Sequence, residues 1–115
     1  MTIKRSGSGP INSAIVAHNG VVYLSGYTAD DLSAGVEGQT RQVLAKIDTR
    51  LTEAGTDKTR LLSAVVYLAD MTRKEEMNTA WKAWIGPHDT PARACVGAPL
   101  ASPATLVEIM VTAAK

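Results

Sequence analysis

Phenylalanine is absent from this 115-residue chain, and two tryptophans and three tyrosines make up its whole aromatic set. A core must therefore lean on Leu, Val, Ile and Ala. Cysteine occurs once, at Cys95, which excludes an internal disulfide and any cysteine-rich metal site. Neither histidine lies near Cys95 in sequence, so its apolar segment suggests a buried thiol and not a nucleophile. An excess of one charge is lacking too: 12 Lys and Arg against 11 Asp and Glu leave a net charge of +1. No basic field argues for a nucleic-acid partner and no acidic field for a cationic one. There is no long apolar run and no signal-type segment at the N-terminus, so the chain reads as cytoplasmic, with no membrane partner.

What is present is ordinary globular composition, 45% apolar and 20% charged. At this length residues 1–115 form one domain, with a core but no room for a second. Ile3 to Arg5 suggests a short opening strand, followed by a turn-rich Ser6-Gly7-Ser8-Gly9-Pro10. No Gly-Lys-Ser/Thr follows, so this is not a phosphate loop. Ala14 to Ala17 and Val21 to Leu24 read as strands around Asn19-Gly20, the strongest short hairpin signal. Thr28 to Gly35 is polar loop, including the solvent-facing pair Asp30-Asp31.

Val36, Thr40, Val43, Leu44, Ile47, Leu51 and Ala54 recur at helical spacing, and Gly55 follows as a C-terminal cap. Leu61 to Leu68 is nearly all apolar, as in a strand covered on both faces. Thr72-Arg73-Lys74-Glu75 has the form of a capping box. It would open a helix with Met77, Ala80, Trp81 and Trp84 on its buried stripe and Gly86-Pro87 at its end. Two strands close the chain. This order predicts an α+β two-layer sandwich, one mixed sheet with both helices on one face. The strands carry apolar residues on both sides, so the bare sheet face needs another subunit to cover it.

Two closing segments carry the chemistry. Pro91-Ala92-Arg93-Ala94-Cys95-Val96 puts Arg93 and Cys95 on one face of a strand. In the second, roughly Thr105 to Ala113, Glu108, Met110 and Thr112 share a face, with Val107, Ile109 and Val111 opposite. Paired as a hairpin turning near Leu100-Ala101, they would set Arg93 opposite Glu108. Spacing leaves two readings open. One is a weak cross-strand ion pair. The other is an arginine whose planar fork clamps a substrate carboxylate, with a glutamate to handle a proton or a water.

The segment Thr90-Pro91-Ala92-Arg93-Ala94-Cys95-Val96 resembles the arginine signature of the YjgF/RidA family of reactive-intermediate deaminases. Leu106-Val107-Glu108-Ile109 resembles that family's closing strand. Further matches follow in order: Asn19 to Gly26, Gln39 to Leu44, Glu53-Ala54-Gly55, Val65 to Met71 and Met77-Asn78. The resemblance spans about Pro10 to Ala113. It implies a chorismate-mutase-like fold, a homotrimer with ligand clefts between subunits, and hydrolysis of 2-enamine or 2-imino acids to 2-keto acids and ammonia with no metal or organic cofactor.

By resemblance, Arg93 and Glu108 are the catalytic pair, while Ser25, Gly26, Asn78 and Cys95 line the cleft. Two positions depart from the family. Ile11 follows Gly9-Pro10 where better-known members carry a substrate-contacting tyrosine, and Tyr27 replaces a usual glutamine. Tyr27 is therefore a candidate for the missing hydroxyl. Ile11 is expected to favour imines with apolar side chains, such as those from Leu or Met; charged imines should be poor unless some residue pairs them. A non-catalytic trimer sensing keto or amino acids is the alternative. Ribonuclease activity, attached to some relatives, fits poorly with the near-zero charge and the lack of a histidine pair. His18 and His88 read as solvated, and Trp81 and Trp84 as core.

Overall fold

The structure, a computed structural model, describes residues 2–115. Six strands and two helices follow in the order β1 (Lys4–Ser8), β2 (Ser13–His18), β3 (Val21–Leu24), α1 (Val36–Glu53), β4 (Leu61–Leu68), α2 (Lys74–Ile85), β5 (Ala92–Gly97) and β6 (Val107–Ala114). The strands form one sheet ordered β1-β2-β3-β6-β4-β5. Every neighbouring pair is antiparallel except β4 and β5, which the α2 crossover makes parallel. This is the expected α+β fold with a mixed sheet.

Local chemistry explains most of the elements. Asn19 (φ 53°) and Gly20 (φ 77°) both hold positive φ, as a two-residue turn matched to strand twist requires. Helix α1 buries Val36, Gln39, Thr40, Val43, Leu44, Ile47 and Leu51, a single stripe at three- and four-residue spacing. It stops where Gly55 takes φ 82°. There the Gly55 N–H donates to Thr52 O at 3.0 Å and the Thr56 N–H to Leu51 O at 2.9 Å, satisfying the last carbonyls of the helix.

Three details differ from the sequence reading. Strand β1 runs on through Ser6, Gly7 and Ser8, so the turn shrinks to the four residues from Gly9 to Asn12. Gly7 permits this: its φ is +62°, and a Cβ there would stand 2.7 Å from that of Ala14. The capping box before α2 does not form. Asp70 instead accepts from the Thr72 N–H at 2.9 Å and the Thr72 hydroxyl at 2.6 Å, capping a 3-10 turn at Met71–Arg73 that leads into α2. The Thr72 hydroxyl is spent as a donor to the Asp70 carboxylate, a charge-assisted bond, and so does not cap the N–H groups of α2. Finally, β5 and β6 are not a hairpin. Residues 98–106 cross the end of β4, fastened by Ala98 N–H to Leu68 O and Ala69 N–H to Leu106 O, so β4 lies between the two strands.

Side chains alternate across the sheet. Ala64, Val66, Leu68, Val107, Ile109, Val111 and Ala113 are buried beneath the helices. They join Val43, Ile47 and Leu51 of α1 and Met77, Trp81 and Ile85 of α2 in one core cluster. The opposite face is open in the single chain: Tyr23, Leu62, Val96 and Met110 are each at least 40% exposed. The β4 strand thus has one covered face, not two. Among the described residues no helix is long and apolar enough to cross a membrane.

Candidate functional site

Arg93 lies in register with Ala64 on β4, so its side chain leaves the sheet on the helix-covered face. Its Nη2 donates to Asn78 Oδ1 at 2.8 Å, its Nη1 lies 3.6 Å from Met77 Sδ, and its guanidinium carbon is 5.0 Å from the centre of the Trp81 ring. Asn78 orients the fork while the indole face supplies a favourable quadrupole. Arg93 is half-buried, yet none of the ion pairs among the described residues includes it. A guanidinium has five donors and no acceptor, so several stay free for an anion. They border a cavity of about 430 Å³, walled by Asn78, Trp81, Lys82 and Ile85 of α2 and closed by Thr90, Pro91 and Arg93.

Glu108 lies in register with Tyr67, on the open face of the sheet. It is half-buried and also outside every ion pair among the described residues. Gly26 is pressed against it: a Cβ at Gly26 would come within 3.1 Å of the Glu108 carboxylate carbon and closer still to one oxygen. Only glycine leaves that carboxylate its position. Ser25 is fixed beside it by its N–H to Ala14 O at 3.1 Å.

The expected facing of Arg93 and Glu108 is therefore overturned within one chain. They lie on opposite faces, separated by β4 and by three positions along the strand direction, roughly 10 Å each way at sheet spacings. Two half-sites result: Arg93 with Asn78 and, two residues along the same face, Cys95; and Glu108 with Gly26 and Ser25. Cys95 is half-buried, not buried.

Tyr27 joins neither half-site through its hydroxyl. Its backbone bridges Ile109 (N–H to O 3.0 Å, and 3.1 Å in return), which turns the ring to the helix side. There Arg50 Nε donates to its hydroxyl at 3.1 Å. Glu53, and after it the Tyr27 hydroxyl, raises the pKa of Arg50. Ile11, 93% exposed at the β1–β2 tip, points away from its own chain.

Sequence reasoning missed Trp81 as the platform under Arg93. The helical spacing of Asn78, Trp81, Lys82 and Ile85 was the available signal. It also missed Tyr67 beside Glu108, for which register alone was the clue. Among the described residues no three His, Cys, Asp or Glu side chains form a group suited to a metal ion.

Comparison with known proteins places this geometry in a family. The model of the family described as Endoribonuclease L-PSP matches residues 4–115. A RutC family protein of Haemophilus ducreyi is 45% identical over 102 residues, covering 89% of this chain and 87% of its own. The RutC family protein YoaB of Escherichia coli is 38% identical over 114 residues, 99% of each chain. The crystal structure of a YjgF-family protein from Neisseria meningitidis is 46% identical, with a TM-score of 0.93 over 100% of this chain and 96% of that one. A Rid-family structure from Yersinia pestis follows at 28% identity and TM-score 0.85, over 94% and 90%. With its mixed six-stranded sheet, its two helices and its arginine and glutamate strands, the chain belongs to the YjgF/RidA (Endoribonuclease L-PSP) family.

Proposed function

We propose that the protein is a homotrimeric hydrolase of reactive 2-enamine and 2-imino acids, releasing 2-keto acids and ammonia. The observation that carries this reading is Arg93: half-buried, aimed by Asn78, stacked on Trp81, bordering a cavity and without a carboxylate partner. A guanidinium held this way is organised for a planar carboxylate.

Because Glu108 lies on the other face, the cleft is completed by a second copy. Arg93 of one subunit binds the substrate carboxylate, and Glu108 of its neighbour takes a proton from water as that water attacks the imine carbon. Glu108 passes that proton to the former imine nitrogen, giving a carbinolamine. The hydroxyl proton then moves to the amino group, the C–N bond breaks, and ammonia leaves the keto acid carbonyl behind. The imine is electrophilic already, so positioning and this proton shuttling suffice. The open apolar sheet face supplies the surface for assembly, as an exposed patch of Tyr23, Leu62, Val96 and Met110 requires cover. Three chains of 12.1 kDa give a particle of about 36 kDa. Ile11, exposed at its hairpin tip, reaches toward a neighbouring copy and forms part of the substrate wall there.

The test generates imino acids in situ with an amino acid oxidase and follows their loss with and without the protein. Acceleration that disappears in Glu108→Gln, while 2-keto acid binding persists, supports an enzyme. Keto acid binding with no acceleration supports a sensor. RNA cleavage, the activity in the family's description, is a third outcome. It has little support in the +1 net charge and in a cavity that neither His18 nor His88 lines.

A further inference from the structure

Arg93 is not the only cation at its cavity. Lys82, exposed on α2, lines the same space. Arg41, Lys46, Arg50 and Arg73 each pair with a carboxylate. Neither Arg93 nor Lys82 is among those pairs. Two like charges facing one cavity repel, and more strongly as water leaves it. An anion between them reverses the sign.

Helix geometry sets the spacing. Asn78 and Lys82 are one turn apart on the same face of α2, about 6 Å between their Cβ atoms, and Asn78 holds the Arg93 guanidinium at 2.8 Å. The Lys82 side chain thus starts about a helical turn from the residue that holds Arg93, and its flexible stem reaches the cavity beside the apolar surfaces of Ile85 and Pro91. That spacing suits a short molecule with a carboxylate at each end.

We propose that the cavity takes 2-imino and 2-oxo dicarboxylic acids, with the α-carboxylate on Arg93 and the side-chain carboxylate on Lys82. This rests on the reading of Arg93 as the α-carboxylate clamp. It also answers the expectation that charged imines lack a partner: an acidic side chain finds one in Lys82, and a basic side chain does not.

The probes are 2-oxoglutarate and 2-oxobutyrate, bound calorimetrically to the full-length protein at low salt. The oxidase-coupled assay is run in parallel on imines from glutamate and from a straight-chain apolar amino acid. 2-Oxoglutarate should bind roughly tenfold more tightly, the effect of one added charge-assisted contact. Lys82→Gln should erase that difference and leave 2-oxobutyrate unchanged, and Lys82→Glu should invert it. Equal binding of the two acids by the native protein, or an unchanged preference in Lys82→Gln, would overturn the proposal. Binding that depends on Lys82 with no imine turnover would refute the deaminase reading alone. Turnover with a preference indifferent to Lys82 would refute the dicarboxylate assignment alone.

Discussion

The two faces of the sheet do opposite things with one charged residue each. On the helix side, Arg93 is enclosed by its own chain, with Asn78, Met77 and Trp81 fixing its position. On the open side, Glu108 has only Gly26 pressed against it and Tyr67 across the ladder. The covered face thus holds its cation in place with its own side chains, whereas the open face leaves its carboxylate largely to its surroundings. Under the proposed function, the first is the anion clamp and the second the proton acceptor, which a single chain keeps on opposite faces.

The clamp is where the contrast breaks most sharply. Arg93→Ala should lower imine hydrolysis by on the order of a thousandfold, through loss of a bidentate charged contact, with the circular dichroism spectrum and particle size unchanged. Activity retained in that folded variant would remove Arg93 from the site. The open face is tested by Met110→Glu, a charge placed on the exposed apolar surface. Light scattering should show the mass fall from about 36 kDa toward a single chain, and activity should fall with it. A stable native monomer would contradict the need for a partner.

Gly26 sharpens the Glu108 half. Gly26→Ala puts a methyl against the carboxylate and should cost about a hundredfold in rate, as small misplacements of a reacting group do, with little change in keto acid binding. An unaltered rate would show that Glu108 is not held by this contact.

The smallest effect lies in the loops at neither half-site. Asp31, Asp57 and Asp70 each have a lowered pKa because the hydroxyl, and after it the backbone N–H, of Ser33, Thr59 and Thr72 donates to the ionised form. A carboxyl lowered in the folded state adds stability that is fully present above its usual value of 3.8. That stability disappears as pH falls through the lowered value. Thermal melts should be flat near neutrality and decline modestly below about pH 4, with part of that slope missing in Asp70→Asn. The same slope in Asp70→Asn would refute the assignment.

Chemistry written within a few residues was legible in the sequence. Asn19-Gly20 names its own turn, and the stripe from Val36 to Leu51, closed by Gly55, names its own helix. Arg93 and Glu108 were legible as residue types in their strands, as was the glycine at the end of β3. Strand neighbourhood was not. Nothing local in β5 says that α2 carries it past β4, or that residues 98–106 return across the end of that strand. The insertion of β4 sets Arg93 and Glu108 two strands apart, and their register partners Ala64 and Tyr67, an odd three positions apart on β4, put them on opposite faces. Tyr27 failed in the same way: its identity was visible, but its backbone bridge to Ile109 turns the phenol toward Arg50. Asp70 was overlooked as a cap because Thr72 and Glu75 offered a more familiar pattern.

The proposed division of the site between copies is tested by mixing. Arg93→Ala and Glu108→Gln, each inactive as a pure protein, are unfolded together in equal amounts and refolded into mixed trimers. Some clefts then take Arg93 from one variant and Glu108 from the other. Random assembly should restore about a quarter of native activity, while either variant refolded alone stays inactive. No recovery in mixed trimers shown by mass spectrometry to contain both chains would mean that one chain supplies both residues, contradicting a cleft shared between subunits.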